Sequence, residues 1–280
     1  MDRTLFVSDL DGTLLNSSGT ISEKSANIIS SLIDQGVLFT YATARGYSYA
    51  KEATKKINLN IPVATYNGVI IIDPVNNTVL DSCLIDKLTI MNIIENLSNA
   101  SSYPIVCSLI EGKEVLSWIQ AQDKNSLDFI RSRKPDATFK QVYSIKELFE
   151  GDVFYIVSVG NKENTQYMDN FFRNIDGLVL YTLEDTYEKG LYWFEIFNKK
   201  SSKGKSIEKL KTYAKAERIV CFGDSANDIP MFQTANYSVA VGNACLDLKR
   251  IANDIALTNN QDGVAEWLLH NIGKFSILKL

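Results

Sequence analysis

The chain has 280 residues, 45% of them hydrophobic and 22% charged, with a formal net charge of −4. That length fits one large domain or two ordinary ones, and the apolar share suits a folded core rather than a disordered chain. One histidine (His270) and four scattered cysteines (Cys83, Cys107, Cys221 and Cys245) exclude a HExxH zinc site, a zinc ribbon and a CxxC dithiol. His270, in WLLHNI, is expected on an ordinary amphipathic helix, and the cysteines are expected as reduced thiols, buried except at Cys83. Chemistry in such a chain must run on carboxylates, hydroxyls and lysines. The acidic balance and dispersed lysines argue against a nucleic-acid surface, and no apolar run approaches the ~20 residues of a membrane span. The opening MDRTLFVSDLDG carries no signal-peptide pattern. The expectation is a cytoplasmic protein without membrane or nucleic-acid partners, monomeric or homodimeric.

In chain order, Thr4–Ser8 reads as a buried strand, and Ser22 caps a helix whose Ile29, Leu32 and Ile33 share a face and which ends near Gly36. Val37–Ala42 is a second strand, Tyr47–Ile57 a second helix and Ile61–Thr65 a third strand. A hairpin pattern follows, Val69–Asp73 and Thr78–Leu80 around Asn76-Asn77. The middle changes character: Ile105–Ile110 and Glu114–Ile119 flank a Glu-Gly-Lys turn, then come a helical stretch, Val153–Val159 and Leu178–Thr182. Strand–helix alternation returns with Trp193–Phe197, the helix Lys205–Ala214, Arg218–Phe222, Tyr237–Val241 and Ile255–Leu257. The pattern predicts an α/β fold: a Rossmann-like parallel-sheet core of residues 1–83 and 191–280, with an α+β domain of residues 84–190 inserted in it. Ligands of such sheets gather outside the carboxyl ends of the strands.

Four polar clusters follow predicted strands at that edge. Asp9-Leu10-Asp11-Gly12-Thr13 comes directly after TLFVS. Alternate residues leaving a strand point the same way, so Asp9 and Asp11 can face one site, and two adjacent carboxylates favour a hard cation or a shared proton. Gly12 permits a sharp turn and close backbone approach to an anion; the competing reading is an ordinary Asp-Gly turn. Thr43-Ala44-Arg45-Gly46 offers a hydroxyl and an N–H at a helix entry, or simply a helix cap. Ser202-Lys203-Gly204 places a lysine just before a helix, where it either neutralises a phosphate or faces solvent. Gly223-Asp224-Ser225-Ala226-Asn227-Asp228 puts two acids four residues apart, with capping by Asp224 or Ser225 as the alternative. Together the clusters supply a carboxylate nucleophile, a second carboxylate for proton transfer, a distant acid for a divalent-metal site, and a hydroxyl and lysine for a phosphoryl group. Oxygen donors of this kind suit Mg²⁺.

The order DxDGT, Thr43, SKG and GDSxND resembles the haloacid dehalogenase superfamily of phosphatases, and most closely its Cof-like members, which carry an α+β cap between the second and third motifs. Tyr66-Asn67-Gly68, Ala240-Val241-Gly242-Asn243-Ala244 and Asp262-Gly263-Val264 are similar to further family signatures. Ala44 stands where glycine is usual and Val241 where methionine is common. The resemblance implies an Mg²⁺-dependent phosphatase acting on a small phosphorylated metabolite, such as a sugar phosphate or a cofactor phosphate. It implies Asp9 as nucleophile forming an aspartyl-phosphate, and Asp11 as general acid–base with a pKa above the ordinary carboxylate value. It further implies Asp9, Asp11 (through its carbonyl), Asp224 and Asp228 around the metal. Gly12, Thr43, Ala44, Asn67, Lys203 and Asn227 would surround the phosphate, with Asn227 orienting Lys203 or the phosphate itself. The insert would close over the site and read the leaving group, with Tyr187–Trp193 leading the chain back to the core.

Rival readings are a receiver-type signalling module, a DxD glycosyltransferase, a sugar phosphomutase of the same fold and a non-catalytic aspartyl-phosphate binding protein. A receiver would fit these groups into one small domain, and a glycosyltransferase leaves the last two clusters unexplained. A mutase differs by returning the phosphoryl group to sugar.

Overall fold

The computed structural model describes residues 3–97, 103–120, 124, 127, 128, 130, 139–185 and 187–275. Strand β1 (Thr4–Ser8) is buried at every position. It leads through a turn over Leu10–Leu14 to helix α1 (Glu23–Asp34), where the Ser22 hydroxyl accepts the Ser25 N–H at 2.9 Å, the cap expected from sequence. Strand β2 (Leu38–Tyr41), helix α2 (Tyr47–Ala53) and strands β3 (Val63–Thr65), β4 (Ile70–Asp73) and β5 (Thr78–Ser82) follow. The next stretch runs helix α3 (Lys87–Leu97), strands β6 (Ile105–Ile110), β7 (Lys113–Trp118) and β8 (Phe139–Gln141), helix α4 (Ile145–Leu148) and strand β9 (Asp152–Gly160). Helix α5 (Lys162–Phe172) and strands β10 (Leu178–Glu184) and β11 (Tyr192–Asn198) complete it. The helical stretch expected after Ile119 lies largely outside the described residues. The chain then forms α6 (Lys203–Tyr213), β12 (Arg218–Gly223), α7 (Ile229–Thr234), β13 (Tyr237–Ala240), α8 (Leu246–Ile251), β14 (Asp254–Ile255) and α9 (Gly263–Asn271).

These elements fall into two compact units, Met1–Asp81 with Ser201–Leu280, and Ser82–Lys200. In the first, five strands run in the order β14-β13-β12-β1-β2, all parallel. Interior strand β1 pairs with β2 on one side and with β12 on the other, so the strand order reverses beside it. Leu5, Phe6, Val7, Ile219, Cys221 and Phe222 are buried in this sheet, each larger apolar side chain contributing roughly 1.5–3 kcal/mol. A short sheet of β3, β4 and β5 adjoins it through a parallel bridge between Ala42 and Ala64.

The second unit holds six strands in the order β10-β11-β9-β6-β7-β8, antiparallel except for β7 beside β8. Ile93, Leu97, Val106, Ile156, Met168, Phe172, Phe194 and Ile196 form its core with the helices α3 and α5. One expectation is corrected here. The run Trp193–Phe197, expected in the parallel core that was to resume at residue 191, is β11 and pairs antiparallel with β9 and β10, so the second unit extends to Lys200 rather than 190. An apolar run marks a buried strand without saying which neighbour takes its hydrogen bonds.

His270 lies exposed on α9, its Nδ1 2.7 Å from the Glu266 carbonyl, as an ordinary helix residue. Cys107 and Cys221 are buried, whereas Cys245 is exposed against expectation, because it stands at the outer turn where α8 begins. Among the described residues no helix is long and apolar enough to cross a membrane.

Candidate active site

The parallel register sets Ser8 level with both Phe222 and Tyr41, so β1, β12 and β2 end at one edge. Asp9 leaves β1 with its N–H still bonded to the Phe222 carbonyl at 2.9 Å, and its side chain is almost wholly buried. Lys203, the first residue of α6, is 1% exposed and donates to Asp9 Oδ1 at 2.6 Å and Asp228 Oδ1 at 2.7 Å. The solvent-facing alternative for this lysine is therefore excluded. Its helix starts where it does because the Ser202 hydroxyl caps the Lys205 N–H.

Gly12 has φ of 75°, and a Cβ there would lie 2.4 Å from Asp224 Oδ2, so the DxDG turn needs glycine both for its handedness and for contact with the carboxylate. Asp224 Oδ1 accepts from the Thr13 hydroxyl at 2.9 Å, and the Gly12 carbonyl accepts from Asn243 Nδ2 at 2.7 Å. Asp228 is spent inward: Oδ1 takes Lys203, and Oδ2 takes the N–H groups of Asp224 and Ser225 at 3.0 and 3.1 Å. The helix cap read from the sequence as an alternative to the site is part of it: Ser225 is the cap residue, in a capping box with Asp228. Asp11 turns to Arg45, which donates from Nε to Oδ2 at 2.8 Å and from a terminal nitrogen to Oδ1 at 2.5 Å. Arg45 stood in the second motif without an assigned role; the signal that would have found it is a lone guanidinium two residues after Thr43.

Thr43 is fully buried beside the Asp9 strand end, but its N–H is not offered at a helix entry as expected. That N–H bonds the Ala64 carbonyl at 3.0 Å, and α2 starts only at Tyr47. The hydroxyl accepts the Arg45 N–H at 3.1 Å, which leaves its own proton to donate, and the half-buried Ala44 N–H finds no acceptor among the described residues. Asn67 and Asn227 are buried and bonded to each other, Asn227 Nδ2 to Asn67 Oδ1 at 3.2 Å, while Ser225 donates to Asn227 Oδ1 at 2.6 Å. Of the two alternatives read from the sequence, a bond from Asn227 to Lys203 is not seen among the described residues, where Asn227 holds Asn67 instead, and the phosphate alternative stands. Tyr66, Asn67 and Gly68 are all left-handed, with φ of 51°, 55° and 87°. Tyr66 N–H bonds the Arg45 carbonyl at 3.1 Å, Asn67 N–H the Thr43 carbonyl at 2.9 Å, and a Cβ on Gly68 would sit 2.6 Å from the Ser202 carbonyl. Three consecutive residues thus tie the second, third and fourth clusters together.

Burial raises the Asp9 carboxyl well above its ordinary value; Lys203 opposes the shift, and the carboxylates of Asp228, Asp224 and Asp11 add to it. Burial, with Asp228 beside it, pushes Asp224 up to about 7. Burial works against the charge on Lys203, but Asp228 and Asp9, with their hydrogen bonds, hold the ammonium above its ordinary value. Four carboxylates (Asp9, Asp11, Asp224 and Asp228) thus face two cations, Lys203 and Arg45. Carboxylate oxygens of Asp9, Asp224 and Asp228 lie within 4.8 Å of one another. Asp9 Oδ2 and Asp224 Oδ2 keep lone pairs with no hydrogen-bond donor among the described residues. A hard divalent cation fits this donor set: oxygen ligands only, surplus negative charge, and two carboxylates raised by burial in its absence.

A parallel sheet reversing beside β1, with the acid–lysine–acid cluster at that point, defines a class that comparison with known proteins makes explicit. The family profile of the haloacid dehalogenase-like hydrolases matches residues 6–268, and the chain belongs to that family. It is 26% identical over 274 residues to the 5-amino-6-(5-phospho-D-ribitylamino)uracil phosphatase YitU of Bacillus subtilis, covering 94% of this chain and 96% of that one. It is 27% identical over 293 residues to the phosphatase YwpJ of the same organism, covering 95% and 99%. The solved structure of TM0651 from Thermotoga maritima superposes with a TM-score of 0.75 at 24% identity, over 96% of this chain and 97% of that one.

Proposed function

We propose that this hydrolase is an Mg²⁺-dependent phosphatase that releases phosphate from a small phosphorylated metabolite through an aspartyl-phosphate at Asp9. The observation that carries the reading is the acid cluster around Asp9: Lys203 fixes its Oδ1 at 2.6 Å, and carboxylate oxygens of Asp9, Asp224 and Asp228 lie within 4.8 Å of one another. Asp9 attacks the phosphorus in line, and the bond from phosphorus to the ester oxygen breaks as that oxygen takes a proton from Asp11. Asp11 then removes a proton from water, whose oxygen attacks the phosphorus and releases Asp9 and inorganic phosphate. Lys203, the Thr43 hydroxyl and the Ala44 N–H take the phosphoryl oxygens. Asp9, Asp224 and the Asp11 carbonyl would hold Mg²⁺, with Asp228 behind them fixing Lys203 and the Asp224 backbone. When bound, the ion would offset the repulsion between carboxylate and phosphate.

Full-length similarity to named phosphatases supports phosphate release over return of the phosphoryl group to sugar. One relative's substrate is a phosphorylated ribityl-aminouracil, which supports a phosphorylated polyol or sugar joined to a small ring as the substrate class. The unit Ser82–Lys200 is assigned the reading of the leaving group, since every residue of the chemistry comes from the other unit. A screen of sugar, polyol and cofactor phosphates with free-phosphate detection tests the proposal. Asp9→Asn is expected to lower turnover about a thousandfold or more with its fold intact, and retained turnover sinks the assignment.

A further inference from the structure

Arg45 is not needed to form the core, yet its position is fixed from three sides. Its N–H donates to the Thr43 hydroxyl at 3.1 Å, and its carbonyl accepts the Tyr66 N–H at 3.1 Å. Its guanidinium takes both oxygens of Asp11, a residue 34 positions earlier, at 2.8 and 2.5 Å. The two side chains are 23% and 24% exposed, so the pair is partly open to solvent. A partly exposed ion pair contributes little to stability, commonly under about 1 kcal/mol. A lysine would supply the same charge, whereas only a planar fork fixes the plane in which a carboxylate lies.

We propose that Arg45 is a positioning residue for Asp11, holding in one orientation the carboxyl that exchanges a proton with leaving group and water. The inference rests on the phosphatase reading and adds to it a dependence on leaving group. The alkoxide departing from a sugar phosphate is strongly basic and needs a well-aimed proton, whereas p-nitrophenolate departs without one. The parameter kcat/KM covers the steps through cleavage of the ester bond, so it isolates this difference from the later attack of water. An arginine that merely bound the phosphoryl group, or merely supported the fold, would affect both esters alike, because the phosphoryl group and the fold are common to them.

The experiment begins with the wild-type protein and Asp9→Asn in Mg²⁺, assayed on p-nitrophenyl phosphate and on the sugar phosphate that the wild type turns over fastest. Release by the first and not by the second tests the phosphatase reading by itself. Arg45→Ala is then expected to lower the ratio of kcat/KM for the sugar ester over the aryl ester by about tenfold or more, since general acid catalysis is worth at least that much. Arg45→Lys is expected to lower the ratio by less, and added methylguanidinium to restore part of it in Arg45→Ala. Equal losses on the two esters, or no loss on either, overturn the proposal. If the alanine variant does not fold, an unchanged ratio in Arg45→Lys overturns it as well.

Discussion

In the first unit, parallel strands deliver Asp9, Ala42 and Asp224 to one sheet edge, because each strand runs the same way and stops at the same level. In the second, six strands alternate direction for most of the sheet, so their ends are shared between two opposite edges. The contrast teaches where chemistry collects. A parallel sheet must return each strand through a crossover, and every crossover begins at the same edge with a turn and often a helix N-terminus. The antiparallel sheet spends its residues on a two-sided pleat and a packed core, and among the described residues no acid cluster of the kind seen beside β1 lies in it.

Substitutions can break this comparison, and the largest effect is expected at Lys203. Replacing it with methionine leaves Asp9 and Asp228 buried together without their cation, a loss of about 3–5 kcal/mol for a broken buried pair, with activity abolished. Urea unfolding at pH 8 measures the loss; adding Asp9→Asn to the same chain is expected to recover stability and not activity. Recovery of neither would show that the lysine acts otherwise than as the shared partner of the two acids. In the second unit, Phe194→Ala removes a fully buried ring that packs 6.1 Å from Phe172, at about 3–5 kcal/mol. Turnover of p-nitrophenyl phosphate by the folded variant is expected to stay within about a factor of two, because the site residues belong to the other unit. A collapse of turnover would erase the division between the units.

The smallest effect concerns pH. Burial pushes the Asp224 carboxyl up to about 7 from an ordinary 3.8, so between these values the folded state binds the extra proton. Stability without metal is therefore expected to fall as pH rises from about 4 to 7, with the raised Asp9 carboxyl acting in the same direction. Added Mg²⁺ must displace that proton, so its stabilisation is expected to grow over the same interval. Melting temperatures across pH 5–8, with and without Mg²⁺, check the sign; a metal effect largest at pH 5 contradicts it.

Much of the site was legible because its residues follow strands in recognisable order. Asp9, Asp11, Thr43, Lys203 and Asp224 were singled out from the carboxyl ends of strands or from a helix start, and the structure gathers them there. What escaped was partnership. Nothing in the spacing of Asp11 and Arg45 announces a fork across two turns, and nothing in Asn67 or Asn227 announces their mutual bond. The Thr43 N–H appeared open because the bridge that consumes it comes from Ala64, twenty-one residues on. The same blindness misplaced β11: hydrophobic runs record burial, while the choice of neighbouring strand depends on chain reversal and on the helices that cover each sheet.

Tyr66, Asn67 and Gly68 turn the backbone left-handed three times in succession, and L-amino acids with a side chain accept that only at a cost. A D-residue placed at position 66 by chemical ligation would adopt this backbone without strain, where most natural replacements would resist it. A survey of substitutions by loss of activity would rank the segment beside the aspartates, because its direction of winding sets the Asn67 bond to Asn227 and the backbone bonds to Thr43 and Arg45.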